Sequence, residues 1–275
     1  RKAQLLQLKI AKEIQRVCEE NHIPVFIFAG TLLGAVRHKG FIPWDDDLDV
    51  AMLREDYDKF LQIAPKSLGE EFFLQNWETD PEYALPFSKE LLKNTHYTER
   101  NIGSAHIQDG IYVDIFVLDN VPRDEKLQKK HDRSTYLLQR LLLAKNGYCP
   151  WQDGETVKKL IYQCLKLAAL PFSRKSLQKR LDRQMRKYSG GTAECVTAIG
   201  GCYGYQKEKL KREWVVNLVS FPFEDTELPG IADFDAYLSY VYGDYMTPPP
   251  EGERENRHGI MRVDFGPYQF DSCEL

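Results

Sequence analysis

Four aspartates within five positions, Asp45, Asp46, Asp47 and Asp49, stand in the stretch FAGTLLGAVRHKGFIPWDDDLDVAM, residues 28–52. In an extended segment side chains alternate between two faces, so Asp47 and Asp49 share one face and Leu48 and Val50 the other. Two carboxylates side by side repel. A divalent cation between them removes the repulsion, and Mg2+ takes one or two carboxylates together with waters and substrate phosphate oxygens. A third acid, Asp114, lies between Val113 and Ile115 in IYVDIFVLD. Carboxylates in such apolar runs are rare unless paired or metal-bound. Upstream, Gly30 and Thr31 close one apolar run and open a helical one, a junction that turns backbone N–H groups toward an anion. These residues lead us to expect a phosphate at the helix start and Mg2+ (or Mn2+) held by Asp47, Asp49 and Asp114. An isolated acidic triplet also suits a solvated turn, and for Asp45 and Asp46 a turn competes with a second metal or the acceptor.

The elements that must carry these residues are legible from periodicity. Leu5, Leu8, Ala11, Ile14 and Val17 have helical spacing, and NHIP ends that helix before a short strand in VFIFAG. TLLGAVRHKG reads as two helical turns, DLDVAML as a strand, and REDYDKFLQIAPKSL as an amphipathic helix ending near Gly69. Further strands are expected at EFFLQNW, FSKELLK and IYVDIFVLD, and in WVVNLVSFPFEDTELPGI, returning to the first sheet. DFDAYLSYVYGDY reads as a helix stopped by TPPP. From about Glu125 to Tyr188 the pattern is helical, broken by NGYCPWQDGE and Pro171. The fold class expected is α+β, a mixed sheet with flanking helices. Its core spans residues 1–122 and 195–275, and residues 123–194 form a basic helical insertion.

With 275 residues, 43% of them hydrophobic, the chain can bury one large core or two modest ones. A net charge of −4 gives no reason to expect nucleic acid as a partner, but its distribution is uneven. Between Arg123 and Lys187 there are 17 Lys and Arg against 6 Asp and Glu, so this segment carries +11 and the remainder −15. No run reaches the roughly 20 apolar residues of a membrane span, and the charged, helix-periodic N-terminus does not read as a signal peptide. A cytoplasmic protein is expected, with Arg1 in place of an initiator Met suggesting that residue 1 is not the natural start. The six cysteines form no CxxC pair and are expected to be reduced.

A glycine turn, then alternating aspartates, then a third Asp on a later strand resembles the nucleotidyltransferase fold pattern. Over a longer reach, GTLLGAVRHKGFIPWDDDLDVAM, YVDIFVLD and YLSYVYGDYMTPPP resemble the LicD family, the phosphocholine transferases related to fukutin and fukutin-related protein. The resemblance implies metal-dependent transfer of phosphocholine from CDP-choline to a sugar hydroxyl of a glycopolymer precursor of teichoic acid or lipopolysaccharide type. CDP-ribitol or another CDP-alcohol, or a nucleoside triphosphate in a nucleotidyltransferase, are the alternative donors. On this reading Asp47, Asp49 and Asp114 are the catalytic and metal residues, with Asp114 also the base. Gly30, Thr31, Arg37, Asp45, Lys89 and His258 meet substrate. A quaternary ammonium needs aromatic faces, for which Trp44, Trp77, Tyr83 and Tyr112 are candidates. Acceptors in that family are often assembled on lipid carriers, which places the protein at the inner face of the membrane. Lys175, Lys179, Arg183 and Lys187 would then face anionic lipid, or else simply be solvated.

Overall fold

A computed structural model describes residues 1–148, 156–254 and 258–268. The first helix, α1 (Lys2–Glu20), buries Leu6, Ile10, Ile14 and Val17 along one stripe against the sheet. The same stripe carries buried Gln4 and Gln7. A two-residue strand, β1 (Phe26–Ile27), leads into α2 (Ala29–His38), which ends at Lys39 in the left-handed conformation. Then come β2 (Asp49–Leu53), α3 (Arg54–Ser67), β3 (Phe72–Gln75), β4 (Ser88–Leu92), β5 (His96–Glu99) and the ten-residue β6 (Ile111–Asn120). β2, β4 and most of β6 are buried, as apolar runs covered on both faces must be.

Three helices follow: α4 (Glu125–Asn146), α5 (Thr156–Ala169) and α6 (Arg174–Met185). Asp124 caps α4 by accepting from Leu127 N, and Gly147 in the left-handed region closes it. The chain returns with β7 (Cys195–Ala198), β8 (Lys209–Lys211), α7 (Arg212–Val216), the hairpin β9 (Leu218–Phe223) and β10 (Thr226–Ile231), α8 (Phe234–Tyr242) and β11 (Ile260–Asp264). The α+β expectation holds, with a mixed sheet ordered β3-β4-β6-β2-β1-β10-β9. β2 runs parallel to β6, while β4 pairs antiparallel with the first half of β6 and β7 with its last three residues. β11 pairs only with β5, in a separate two-stranded ribbon.

Several expectations are corrected. β2 starts at Asp49, so Asp47 lies in the loop before the strand, because the carbonyls of Asp45 and Asp46 are taken by Gln4 and Gln7 of α1 and the side chain of Asp47 turns to His258 of the tail. α2 begins at Ala29, two residues before the start expected at Thr31, so Gly30 and Thr31 both lie in its first turn. Trp214–Val216 are helical, and only the residues from Leu218 onward return to the sheet. The break expected at NGYCPWQDGE falls partly outside the described residues, as do Cys149 and Cys273; Cys18, Cys164, Cys195 and Cys202 are free thiols.

Candidate active site

Register builds the site. Asp49 on β2 pairs with Asp114 on β6, and Asp114 pairs with Lys89 on β4, so three neighbouring strands set two acids and a lysine in one row. Directly paired residues present their side chains on the same face. Lys89 Nζ lies 3.2 Å from Asp114 Oδ1 and donates to Glu99 Oε1 at 2.9 Å. It also sits 3.2 Å from the centroid of the Tyr112 ring. Lys89 is therefore the internal counter-charge of the acid row, buried with its partners. This ion pairing stands beside the phosphate contact expected of Lys89, and its ammonium lies over a ring face that Tyr112 was to offer choline.

The loop ahead of β2 is fixed from two sides. Gln4 of α1 donates to Asp45 O at 3.0 Å, and Gln7 to Asp46 O at 2.7 Å. Tyr97 Oη on β5 donates to Asp46 O at 3.0 Å. Backbone carbonyls held this way leave the Asp45–Asp47 side chains committed to the site. From α2, Thr31 Oγ1 accepts the Asp49 N–H at 2.8 Å, while the Thr31 N–H itself bonds Phe28 O at 3.0 Å. Thr31 is thus an anchor for β2, and its own N–H is not free for an anion. At Gly30 an added Cβ would lie 3.1 Å from Asp45 Oδ2, so glycine leaves that carboxylate room.

His258, just before β11, completes the cluster. Its Nδ1 is 2.9 Å from Asp46 Oδ1 and its Nε2 is 3.5 Å from Asp47 Oδ2. Among the described residues, Asp46, Asp47 and His258 are the group whose ligand atoms gather within 4.8 Å and could hold a metal ion. Asp49 and Asp114 form the adjacent row, outside this group of three. The candidate cation group therefore includes Asp46, which sequence reasoning ranked below Asp47.

Electrostatics show a surplus of negative charge. Burial, then Asp47 and Asp46, push Asp45 up to about 8. Burial also raises Asp47, and it raises Asp49 far more, with Asp47 and Asp114 adding to it. Asp114 is pushed up to about 6, burial outweighing the pull of Lys89. His258 loses by burial but gains more from Asp46 and Asp47, and rises to about 9. Asp46 Oδ2 and Asp49 Oδ1 are buried with no hydrogen-bond partner, and Asp114 Oδ1 has only its ion pair with Lys89. Hard carboxylate oxygens left bare in this way match the donor set of Mg2+ or Mn2+.

Around the cluster stand Arg37, which sequence reasoning named, and Arg254 and Glu208, which it missed. Arg254 lies with its guanidinium carbon 5.0 Å from the Trp44 ring centroid. Arg37 donates to Tyr245 O at 2.9 Å and lies close enough to Arg254 for that charge, after burial, to lower its pKa, while Asp45 opposes the change. Neither arginine has a carboxylate ion-pair partner among the described residues. Glu208, buried and accepting from Tyr203 N at 2.8 Å, is raised to about 7 by burial. Its influence reaches Cys202 and Tyr237, groups that also feel Asp49. Of the aromatic candidates, Tyr83 is fully buried, whereas Trp44 and Trp77 are half-buried. Nothing in the local sequence marks Arg254 or Glu208, which reach the site only through the fold.

An acid-rich row across a mixed sheet, fed by a strand–glycine–helix turn, defines a nucleotidyltransferase-like phosphoryl-transfer class. The family profile described as LicD/FKTN/FKRP, nucleotidyltransferase domain, matches residues 22–140. A lipopolysaccharide cholinephosphotransferase LicD of Haemophilus influenzae is 30% identical over 263 residues, covering 94% of this chain and 95% of that protein. Uncharacterised proteins of Rickettsia typhi and Rickettsia prowazekii are 48% identical over 63 residues and 45% over 58, covering 22% and 21% of this chain and 20% and 22% of their own. The chain belongs to the LicD family.

Proposed function

We propose that the protein is a metal-dependent phosphotransferase that moves phosphocholine from CDP-choline to a sugar hydroxyl of a lipopolysaccharide or teichoic acid precursor. The observation that carries this is the row Asp49–Asp114–Lys89 beside the Asp45–Asp47 loop and His258, in a chain similar along nearly its whole length to a lipopolysaccharide cholinephosphotransferase. Mg2+ or Mn2+ would be held by Asp47 and Asp49 with Asp114, and by Asp46 where a second ion enters. When bound, such an ion would supply positive charge against the diphosphate and the leaving CMP.

The chain's own residues do the rest. Arg37 and Arg254, both cationic and without carboxylate partners among the described residues, suit the diphosphate of the donor. The acceptor hydroxyl attacks the phosphorus bearing choline, the new P–O bond forms as the bond to CMP breaks, and the hydroxyl proton passes to Asp114. A carboxylate raised to about 6 is a stronger base than an ordinary one and still largely ionised at neutral pH. Lys89 keeps that carboxylate charged within a buried row. The sugar acceptor is lipid-linked, so the enzyme works at the inner face of a membrane.

The test is CMP release from CDP-choline, CDP-ribitol and CDP-glycerol, with Mg2+, Mn2+ or EDTA. Metal-dependent release from CDP-choline is expected, reduced roughly a hundredfold or more in Asp49→Asn, since a lost ligand removes several kcal/mol of transition-state stabilisation. Preference for CDP-ribitol changes the donor. Metal-dependent stabilisation by a nucleoside triphosphate but by no CDP-alcohol makes the protein a nucleotidyltransferase, and near wild-type turnover in Asp49→Asn at saturating metal removes the metal assignment.

A further inference from the structure

The helical insertion carries an apolar surface that the fold does not use. Along α5, Val157, Leu160, Ile161, Cys164 and Leu167 all fall within about a third of the helix circumference at 100° per residue. The large ones are exposed: Val157 69%, Leu160 66%, Ile161 49% and Leu167 66%, with Leu170 beyond the helix end at 66%. The opposite side does the packing. Tyr162 and Ala169 are buried and Leu165 half-buried, against α4. Of the other exposed large apolar residues of the described chain, Leu127, Tyr136 and Leu137 lie on α4 and Met261 and Val263 on β11, whereas five lie on this one helix and its end.

Charge selects the occupant. Lys158, Lys159 and Lys166 lie on the other side of α5 from the stripe, exposed Lys175 and Lys179 follow on α6, and the segment from Arg123 to Lys187 carries +11. A second copy of the chain docked on this face would bring two such segments together, and their repulsion opposes the contact. An anionic surface attracts them instead. At about 1.5 Å per residue a 14-residue helix is about 21 Å long, short of a span, and no helix among the described residues is long and apolar enough to cross a membrane. A helix of this length and pattern lies in the interface, its apolar side sunk roughly 5–10 Å and its lysines at the headgroups.

We propose that the outward face of α5 is the membrane-docking surface of this protein, seated on a bilayer rich in anionic lipid. This relocates the contact expected at Lys175, Lys179, Arg183 and Lys187. On α6 the apolar side, Leu177, Leu181 and Met185, is buried, so those cations add attraction without inserting. The proposal rests on the membrane-bound acceptor only for its purpose, and its test uses neither donor nor acceptor.

The experiment is flotation of the whole protein with vesicles of phosphatidylcholine, with and without phosphatidylglycerol. Binding is expected only with the anionic lipid, and it should fall about tenfold or more from 0.1 M to 1 M salt, where the screening length contracts from about 10 Å to about 3 Å. Leu160→Glu/Leu167→Glu should weaken binding by about tenfold or more, since each leucine withdrawn from an apolar phase is worth about that factor. CMP release from a soluble donor should be unchanged. If the glutamate pair lowers the melting temperature, Leu160→Gln/Leu167→Gln gives the same reading. Wild type remaining with the unbound fraction at low salt, or either folded variant binding as well as wild type, overturns the proposal. So does a stable dimer by light scattering that the variants dissolve, which would make this face a contact between copies. Loss of phosphocholine transfer with vesicle binding intact would overturn the functional reading alone.

Discussion

Replacing Lys89 by Met removes the one cation embedded in the acid row and leaves Glu99 and Asp114 buried without it. Burial alone would raise Glu99, yet Lys89 beside it overrides that and holds it at about 2, against an ordinary 4.5. With His258 and Tyr112 lowering Glu99 to a lesser degree, loss of Lys89 should cost about 3 kcal/mol, at the low end of the roughly 3–5 kcal/mol expected when a buried pair loses one partner. At about 2–4 °C per kcal/mol this lowers the melting temperature by roughly 10 °C. The pH dependence carries the diagnosis. A depressed carboxylate contributes stability that is present above its unfolded value of 4.5 and lost as pH falls toward 2. The gap between wild type and Lys89→Met should therefore be widest near pH 7 and shrink below pH 4.5. The assay is urea unfolding in EDTA across that range, with Lys89→Met/Glu99→Gln recovering at least half of the loss. A variant melting within about 2 °C of wild type at pH 7, or a gap indifferent to pH, would refute the counter-charge role.

On the far face of the same strand, Glu90 is buried with both carboxylate oxygens unpartnered, and burial raises it well above 4.5. Wild-type stability should thus decline by up to about 1.4 kcal/mol per pH unit as pH rises above 4.5. Glu90→Gln should match wild type near pH 4 and exceed it increasingly up to pH 8; equal unfolding midpoints at pH 8 would contradict this. Arg54, at the start of α3, grips Asp119 of β6 through two hydrogen bonds of 2.8 and 2.7 Å, both side chains buried. Asp119→Ala should cost about 3–5 kcal/mol in chemical denaturation, and a loss below about 1 kcal/mol would mean the guanidinium finds another partner.

How far the sequence reaches follows from the range of each signal. Long periodic elements such as α1, α3, β6 and the β9–β10 hairpin are written in local pattern, and so was the acid row, because Asp49 and Asp114 interrupt apolar strands. Short strands are not legible: β5 is HYTE and β8 only KLK, with too few residues to alternate visibly. Gln4 and Gln7 look like surface positions of α1, yet both are buried because loop carbonyls wait above them. Lys89 shows why a charge cannot be assigned from its strand alone. Its partner Glu99 lies on β5, a strand the pattern does not reveal. The exposed face of α5 has the same apolar spacing as a core helix, and only the fold tells outward from inward.

The tail that carries His258 has a consequence for how the protein comes to life. β11 touches the rest of the molecule through β5, while Phe265 and Tyr268 lie under Lys2 and Lys9 of α1. His258 and Asp46 are 212 residues apart, a closure among the most distant the chain makes. Contacts so remote form late, because loop closure must be met before they return anything. A growing chain that has already laid down β2 and β6 therefore carries its acids with mutual repulsion unrelieved by the imidazolium. The imidazole that bridges Asp46 and Asp47 is thus the last side chain of the cluster to be put in place, and the order of the chain makes the acid loop wait for its own tail.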